Sequence, residues 1–189
     1  MLSWLNINKT LVLAALCSLV SACVWSEQFS TTISNINVKS ENIWYELNAD
    51  IDYRLSPTAK EALQKGVKLT WDVKVKVERK GLLWNTIVYE QALSYQLKNH
   101  ALLNLYSVKK TKSGETDMFS SLIGALNSMS KIRSLPVVDK QLIKSGERYH
   151  IAIKAQFNRE ALPVPLRPTA YTNSEWALSS HWVLWQLQK

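Results

Sequence analysis

The stretch Val67-Lys-Leu-Thr-Trp-Asp-Val-Lys-Val-Lys-Val77 alternates apolar and polar residues without a break. Successive side chains of a β-strand point to opposite faces, so the Val, Leu and Trp residues of this stretch share one face and the Lys, Thr and Asp residues share the other. A helix turns by about 100° per residue and would scatter both sets around its axis. The alternation therefore predicts a strand over residues 67–80, with one face buried and one face in water.

Other parts of the chain repeat this alternation. It is regular from Ile43 to Leu55 and from Tyr149 to Phe157, and it is weaker over residues 87–97, 101–108 and 176–187. Long alternating strands with one polar face are typical of antiparallel sheets. About six or seven such strands predict a mostly β fold, either an antiparallel β-sandwich or a strongly curved sheet, with one or two short helices covering an end.

Two segments have helical patterns. Ser56 offers a capping hydroxyl, Pro57 suits the first helical position, and Gly66 suits a left-handed end, so we predict a helix over residues 59–65. The second helix is predicted over residues 121–133, with Pro136 marking its exit. Its apolar stripe consists of Leu122, Leu126, Met129 and Ile132.

The segment Leu162-Pro-Val-Pro-Leu-Arg-Pro168 contains three prolines and cannot be a central strand, because proline has no N–H to give to a neighbouring strand. We predict that it is extended, polyproline-like backbone that crosses between sheets or shields an edge. A recognition motif for a proline-binding module is the alternative.

The first 22 residues predict export. Residues 11–22 are an uncharged stretch of the length of a signal-peptide core, too short for a membrane span. Val20-Ser-Ala-Cys23 resembles a bacterial lipobox, so we predict a lipoprotein signal peptide over 1–22, a lipid on Cys23, a tether over 23–28 and one β-rich domain over 29–189. An ordinary cleaved secretion peptide and an uncleaved inner-membrane anchor are the alternatives.

These predictions limit the cellular compartment of the protein and the classes of partner that it can meet. The protein is expected in the periplasm, tethered to a membrane by Cys23, or soluble there if the signal is of the ordinary type. Cys17 would leave with the signal peptide, so Cys23 would have no partner for a disulfide within the chain. The net charge is +8, but the basic residues are spread along the chain. We expect no nucleic-acid partner, because an exported protein rarely meets one.

The sequence contains few groups suited to catalysis. The histidines, His100, His150 and His181, have no second ligand at metal spacing, and we expect no metal and no cofactor. Asp50 and Asp52 lie on one face of a predicted strand, where paired carboxylates can serve acid–base catalysis or bind Ca²⁺. A solvated polar face explains them as well.

The tryptophans are candidates for the core or for binding. Trp71 is expected in the core, as are the residues that would share one face of the last strand, namely Trp176, Leu178, Trp182 and Leu184. Trp44 and Trp185 fall on the opposite faces of their strands. They are the weak candidates for a binding or membrane-resting patch. A second buried layer under a helix is the alternative.

Several blocks are similar to those of one bacterial family. They are Asn48–Ser56, Glu61-Ala-Leu63 with Gly66-Val67, Gly146–Tyr149, Glu160–Pro168 and Trp176-x-Leu-Ser-Ser-x-Trp182. Together they resemble the family called domain of unknown function 4390, from about Phe29 to Leu187. The resemblance implies an exported bacterial protein and supplies no catalytic residues. It also suggests an envelope protein such as a membrane sensor kinase as a partner.

Three hypotheses for function follow. The first is a non-enzymatic cell-envelope protein that binds another protein or an envelope polymer, because the sequence contains no catalytic constellation on a large sheet scaffold. The second is a carrier of a lipid or another apolar ligand between two sheets. The third is a hydrolase that uses Asp50 and Asp52 in a cleft.

Overall fold

The computed structural model describes residues 29–187, which form nine strands and three short α-helices. The predicted signal peptide, the tether and Cys23 lie outside the described residues. In chain order the elements are β1 (Thr32–Glu41), β2 (Trp44–Asp52), α1 (Pro57–Gln64), β3 (Leu69–Arg79), β4 (Thr86–His100), β5 (Leu105–Lys110), β6 (Thr116–Phe119), α2 (Leu122–Met129), β7 (Lys131–Asp139), β8 (Tyr149–Phe157), α3 (Arg167–Thr172) and β9 (Val183–Leu187).

The strands form two antiparallel sheets. The small sheet has the order β1-β2-β7, and the large sheet has the order β6-β5-β4-β3-β8-β9. The prediction of a mostly β, antiparallel fold is confirmed, and the two sheets are consistent with a sandwich. The sequence showed about six or seven strands, because β1, β6 and β7 have no clear alternation. Within residues 29–187, no helix is long and apolar enough to cross a membrane.

The core is made by the apolar faces that the alternation predicted. In β3 the residues from Leu69 to Val77 on this face are completely buried, and Leu47 and Ala49 of β2 are equally buried in the small sheet. Ile151 and Ile153 extend the buried face into β8. Each buried Val, Leu or Ile side chain contributes roughly 1.5–3 kcal/mol of transfer free energy. This face therefore dominates the stability of the fold.

The first predicted helix is confirmed, with its capping signals. The hydroxyl of Ser56 accepts the N–H of Ala59 at 3.1 Å, and Pro57 occupies the first turn. Gly66 follows the helix with a φ of +82°, a left-handed conformation that costs glycine little. The cap, the proline and the glycine thus set the bounds of α1.

The second predicted helix is shorter than expected. It begins after Ser121, whose hydroxyl accepts the N–H of Gly124 at 3.1 Å, but it ends at Met129. The prediction was wrong beyond that point, because the chain from Lys131 continues as β7. Ile132 is buried there by its position beside β2. Pro136 is tolerated because β7 is an outer strand of the small sheet, where one side of the strand needs no N–H donor.

The proline-rich segment is not the extended crossing that its composition suggested. Leu162 and Pro163 are extended, but Val164–Leu166 forms a 3₁₀ turn that leads into α3. The fixed φ of proline fits the first turn of a helix as well as polyproline backbone, and composition alone does not separate the two. Leu162 is buried, and its carbonyl oxygen accepts the Nε–H of Arg167 at 2.9 Å.

The last predicted strand is also shorter, because Trp176 lies in a 3₁₀ turn and only Val183–Leu187 is a strand. Between them, serine hydroxyls take the place of backbone carbonyls as acceptors of two N–H groups of β8. Ser179 Oγ accepts the N–H of Phe157 and Ser180 Oγ accepts the N–H of Ala155, both at 2.9 Å. The single run of alternation assumed for residues 176–187 therefore does not exist. The weaker run over 101–108 is similarly broken, by a 3₁₀ turn at Ala101–Leu103.

The sandwich has two ends, which contain different elements. At the first, which we call the entry end, β1 begins and pairs with the end of β2, and α1 leads directly into β3. At the other, which we call the tip end, Lys80–Asn85 connects β3 to β4 and is called the tip loop. The backbone N–H of Lys80 donates to the carbonyl of Arg148 at 2.8 Å, so the residues that precede β8 lie at the tip end too.

Candidate functional site

Asp50 and Asp52 line the same shallow groove, of about 370 Å³, at the entry end. Asp50 accepts hydrogen bonds from Asn35 Nδ2 at 2.8 Å and from Arg133 Nη2 at 2.5 Å. Asp52 is paired with Arg54 Nε at 2.8 Å. Asn35 reaches Asp50 because a bulge in β1 places it in left-handed backbone, with a φ of 51°.

These contacts keep the Asp50 carboxylate ionised. The hydrogen bond from Asn35, followed by the hydrogen bond from Arg133, lowers the pKa of Asp50 from its ordinary value. A general acid needs a raised pKa, and a nucleophilic carboxylate needs access to its substrate. Both carboxylates face cations of the same chain, which does not suit catalysis, and the contacts of Asp50 hold β1, β2 and β7 together.

The histidines lie apart from one another. His150 Nε2 is 3.1 Å from Glu78 Oε2, on the solvent face of the large sheet. His100 Nε2 is 2.9 Å from the hydroxyl of Ser107. Across residues 29–187, no group of three or more His, Cys, Asp or Glu side chains is placed to hold a metal ion.

Trp44 and Trp185 are both partly exposed, at 38% and 43%. Trp44 begins β2 at the tip end, beside the exposed Ile43. Trp185 pairs with Ile151, so it lies on the core-facing side of the large sheet, at its β9 edge. The structure therefore does not bring these two candidates into one patch.

Trp182 and Leu184 were expected in the core and are instead exposed, at 41% and 61%. The break at Ser179 and Ser180 reverses which residues of this segment face the core. The indole ring of Trp182 lies under two ammonium groups, with Lys76 Nζ at 5.4 Å and Lys154 Nζ at 5.8 Å from its ring centroid. These two cation–π contacts cover the indole ring, so Trp182, Lys76 and Lys154 form a solvated surface rather than a bare apolar patch.

The tip loop is the most exposed apolar surface on the tip end. Leu82, Leu83 and Trp84 follow one another and are 101%, 82% and 75% exposed. Sequence reasoning missed this site, although a signal was present. Three consecutive apolar residues between Gly81 and Asn85 break the alternation of the strands on either side, and such a run has no structural use in a turn.

The sequence also fixes the shape of the tip loop. A Cβ atom on Gly81 would overlap the carbonyl oxygen of Trp84, so only glycine permits this close turn. A groove of about 620 Å³ lies beside the loop, and its rim includes Lys80 and Arg148. Arg79 in the same rim is held by Glu147 at 3.1 Å. The loop is therefore a defined apolar tip with a largely basic border.

The fold and these surfaces define a β-sandwich-type domain whose candidate sites are exposed patches on an antiparallel scaffold. The chain belongs to the family described as Domain of unknown function (DUF4390), whose model matches residues 29–186. This confirms the resemblance that the sequence blocks indicated. No curated protein and no solved structure matches the chain.

The blocks that carry the family resemblance close the core. The carbonyl oxygen of Leu178 accepts the hydroxyl of Thr31 at 2.7 Å and the indole N–H of Trp71 at 3.2 Å. The carbonyl of Trp176 accepts Arg159 Nη2 at 3.3 Å. Leu178 and Trp176 are both buried. These residues thus have structural roles, and the tip loop lies outside the blocks.

Proposed function

We propose that this protein is a non-enzymatic binding module of the bacterial cell envelope, which docks the apolar tip loop into another envelope protein. The observation that supports this is the run Leu82-Leu83-Trp84, three large apolar side chains that project into water from a short, glycine-shaped turn. Soluble proteins rarely expose contiguous apolar patches, and larger ones mark interaction sites.

The chemistry of the tip favours a protein partner. Burying the side chains of Leu82, Leu83 and Trp84 contributes roughly 1.5–3 kcal/mol each, and tryptophan is enriched among residues that dominate interface energies. Lys80 and Arg148 on the rim favour acidic residues around the apolar pocket of the partner. A membrane sensor kinase, suggested by the family resemblance, is one protein of this class.

The expected lipid on Cys23 gives the module an orientation. The tether of residues 23–28 spans at most about 21 Å, so the entry end would stay near the membrane. The tip loop lies at the far end of β3, whose eleven residues extend about 36 Å. In this arrangement the tip loop is presented away from the anchoring membrane, toward a partner in the periplasm.

The two alternatives have less support. The faces of the two sheets are filled by completely buried side chains such as Leu47, Val73 and Ile153, so carriage of a lipid between the sheets would require the sheets to separate. A hydrolase that uses Asp50 and Asp52 would first have to release Arg133 and Arg54 from their carboxylates.

Photocrosslinking in living bacteria tests the docking proposal. A photoreactive amino acid at Leu83 should give one reproducible adduct with an envelope protein, and the same probe at Leu102 is the matched control. Leu102 is just as exposed but lies at the entry end, after β4. A Trp84→Ser substitution should weaken the adduct formed at position 83. Equal adducts at positions 83 and 102, or none at 83, would refute the proposal.

Labelling with palmitate tests the anchor separately. A Cys23→Ala variant should lose the label that the full chain incorporates, because the thiol is the group that receives the lipid. Retention of the label by this variant would exclude Cys23 as the site.

A further inference from the structure

One long stretch of the large sheet is open on its β5 side. β4 pairs with β3 from Thr86 to Leu97, but it pairs with β5 only from Tyr95 to His100. Among the described residues, no strand pairs with Thr86–Leu93 on that side. We call this stretch the open edge.

The hydrogen-bonding groups of the open edge can be assigned. The N–H of Thr111 donates to the carbonyl of Ser94 at 2.9 Å, so Ser94 directs its carbonyl to the β5 side. Backbone groups alternate in direction along an antiparallel strand. Ala92 and Glu90, which are both exposed, therefore direct their N–H and C=O groups outward from the sheet.

Other outer strands carry features that block strand addition, and the open edge has few of them. β1 contains a bulge, β7 contains Pro136 and an irregular register, and β6 and β9 are only four and five residues long. Proline, bulges and short length are the usual protections of an outer strand. The open edge contains no proline, includes the strand-forming run Ile87-Val-Tyr89, and has only Glu90 as a charge. Glu90 is paired with Lys76 at 3.3 Å.

We infer that the open edge is the dimerisation site of this protein, where β4 of a second copy pairs with it in antiparallel register about a two-fold axis at Gln91. This register places Glu90 opposite Ala92 of the other copy, so both residues exchange N–H and C=O groups. It also avoids placing two Glu90 residues directly opposite each other, a pairing that destabilises sheets.

The limits of the open edge fit this symmetric pairing. At one end, the carbonyl of Ser94 already accepts the N–H of Thr111, so the free stretch ends at Leu93. The two-fold axis maps Ser94 onto Val88 of the other copy. Val88 is the residue skipped by the register shift between β3 and β4, where the strand bends. The free stretch 89–93 therefore ends at the Thr111 contact on one side and at the register shift on the other, and it is centred on Gln91, as an isologous interface requires. The tip loop is not needed for this pairing.

Sedimentation velocity on the full chain, from about 1 µM to about 1 mM, measures the association. We expect a concentration-dependent dimer. Ala92→Pro should make the chain monomeric without unfolding it, because the Ala92 N–H faces outward and bonds to no described strand. Ala92→Thr is the matched control and should still dimerise. A chain that stays monomeric throughout, or a dimer that Ala92→Pro leaves unchanged, overturns the inference.

Charge variants test the register and do not depend on proline. Ala92→Lys places an ammonium opposite Glu90 of the other copy, whereas Ala92→Glu places a carboxylate there. The Kd of the lysine variant should be lower by about tenfold, because the charged pair occurs twice. Equal Kd values for the two variants overturn the register and the proposed site.

Hydrogen exchange separates a second copy from other occupants. The amides of Glu90 and Ala92 should exchange slowly when the chain is concentrated and quickly when it is dilute. Slow exchange at every concentration would mean that the chain covers its own edge, and fast exchange at every concentration would mean that the edge is open. Either result overturns the inference.

Discussion

The buried carbonyl of Leu178 provides the most quantitative test of the fold. It accepts two hydrogen bonds, from the hydroxyl of Thr31 at 2.7 Å and from the indole N–H of Trp71 at 3.2 Å. Both donors are buried. Thr31→Val and Trp71→Phe each remove one donor and leave the other in place. The double variant leaves a buried carbonyl without a donor among the described residues.

The expected free energies follow from this geometry. Thr31→Val should lower the free energy of unfolding by about 1 kcal/mol, because one hydrogen bond is lost and the acceptor keeps its other donor. Trp71→Phe should cost about 2 kcal/mol, since it also leaves a small cavity beside Tyr53 and Phe157, whose rings lie 5.4 and 5.1 Å from the indole. The double variant should lose a further 1–3 kcal/mol or so, the cost of an unsatisfied buried carbonyl.

Urea unfolding followed by circular dichroism measures the free energy of unfolding of the original chain, the two single variants and the double variant. This readout does not depend on the fluorescence of Trp71. The same cycle with Ser121→Ala in place of Thr31→Val is the control, because Ser121 caps α2 and shares no partner with Trp71. The control cycle should be additive to about 0.3–0.5 kcal/mol. If the free-energy changes of Thr31→Val and Trp71→Phe also add to within about 0.3–0.5 kcal/mol, the two donors do not share the Leu178 carbonyl.

Three further predictions concern local features. Ser56→Ala removes the hydroxyl that caps α1 and should lower the free energy of unfolding in urea by about 1 kcal/mol. An unchanged free energy would mean that the cap does not stabilise the helix. Gly66→Ala puts a Cβ into backbone with a φ of +82° and should cost about 1–2 kcal/mol in the same assay. Asn35 and Arg133 lower the pKa of Asp50 in the folded state below its unfolded value. The ionised Asp50 therefore stabilises the fold fully above the unfolded pKa of about 3.9, and this contribution to the free energy of unfolding is lost as the pH falls through the folded pKa. Asp50→Asn should therefore flatten the acid limb of the stability–pH curve, and an unchanged limb would contradict the role of these contacts.

The strands with one wet face were predictable, since solvent and core impose a two-residue period that the sequence must carry. β2, β3 and β8 have this period because each lies in the middle of its sheet and buries one face. The caps of α1 were predictable for a similar reason, because Ser56, Pro57 and Gly66 act on their own neighbours. In both cases the signal and the structure lie within a few residues of each other.

The secondary-structure predictions failed where contacts between distant parts of the chain decide the structure. Ser179 and Ser180 bond to the backbone of β8 through their hydroxyls, and this contact, some 25 residues away in sequence, decides that Trp182 faces water. Ile132 extends the apolar stripe of a helix, yet pairing with β2 makes it part of a strand. No local pattern contains this information. The open edge of β4 was unpredictable for the same reason, because it depends on where β5 begins.

The residues that stabilise the fold and the residues of the proposed docking surface lie in different parts of the chain. The family blocks at Glu160–Pro168 and Trp176–Trp182 are engaged in hydrogen bonds and burial that close the core, so a substitution there acts on the fold first. The tip loop makes no comparable contribution, because Leu82 and Leu83 bury almost nothing in the described structure. Polar replacements in the tip loop should therefore leave the unfolding free energy unchanged within about 0.5 kcal/mol and still abolish docking. A large loss of stability from Leu83→Ser would mean that the loop packs within its own chain, and the argument for a docking surface would then fail.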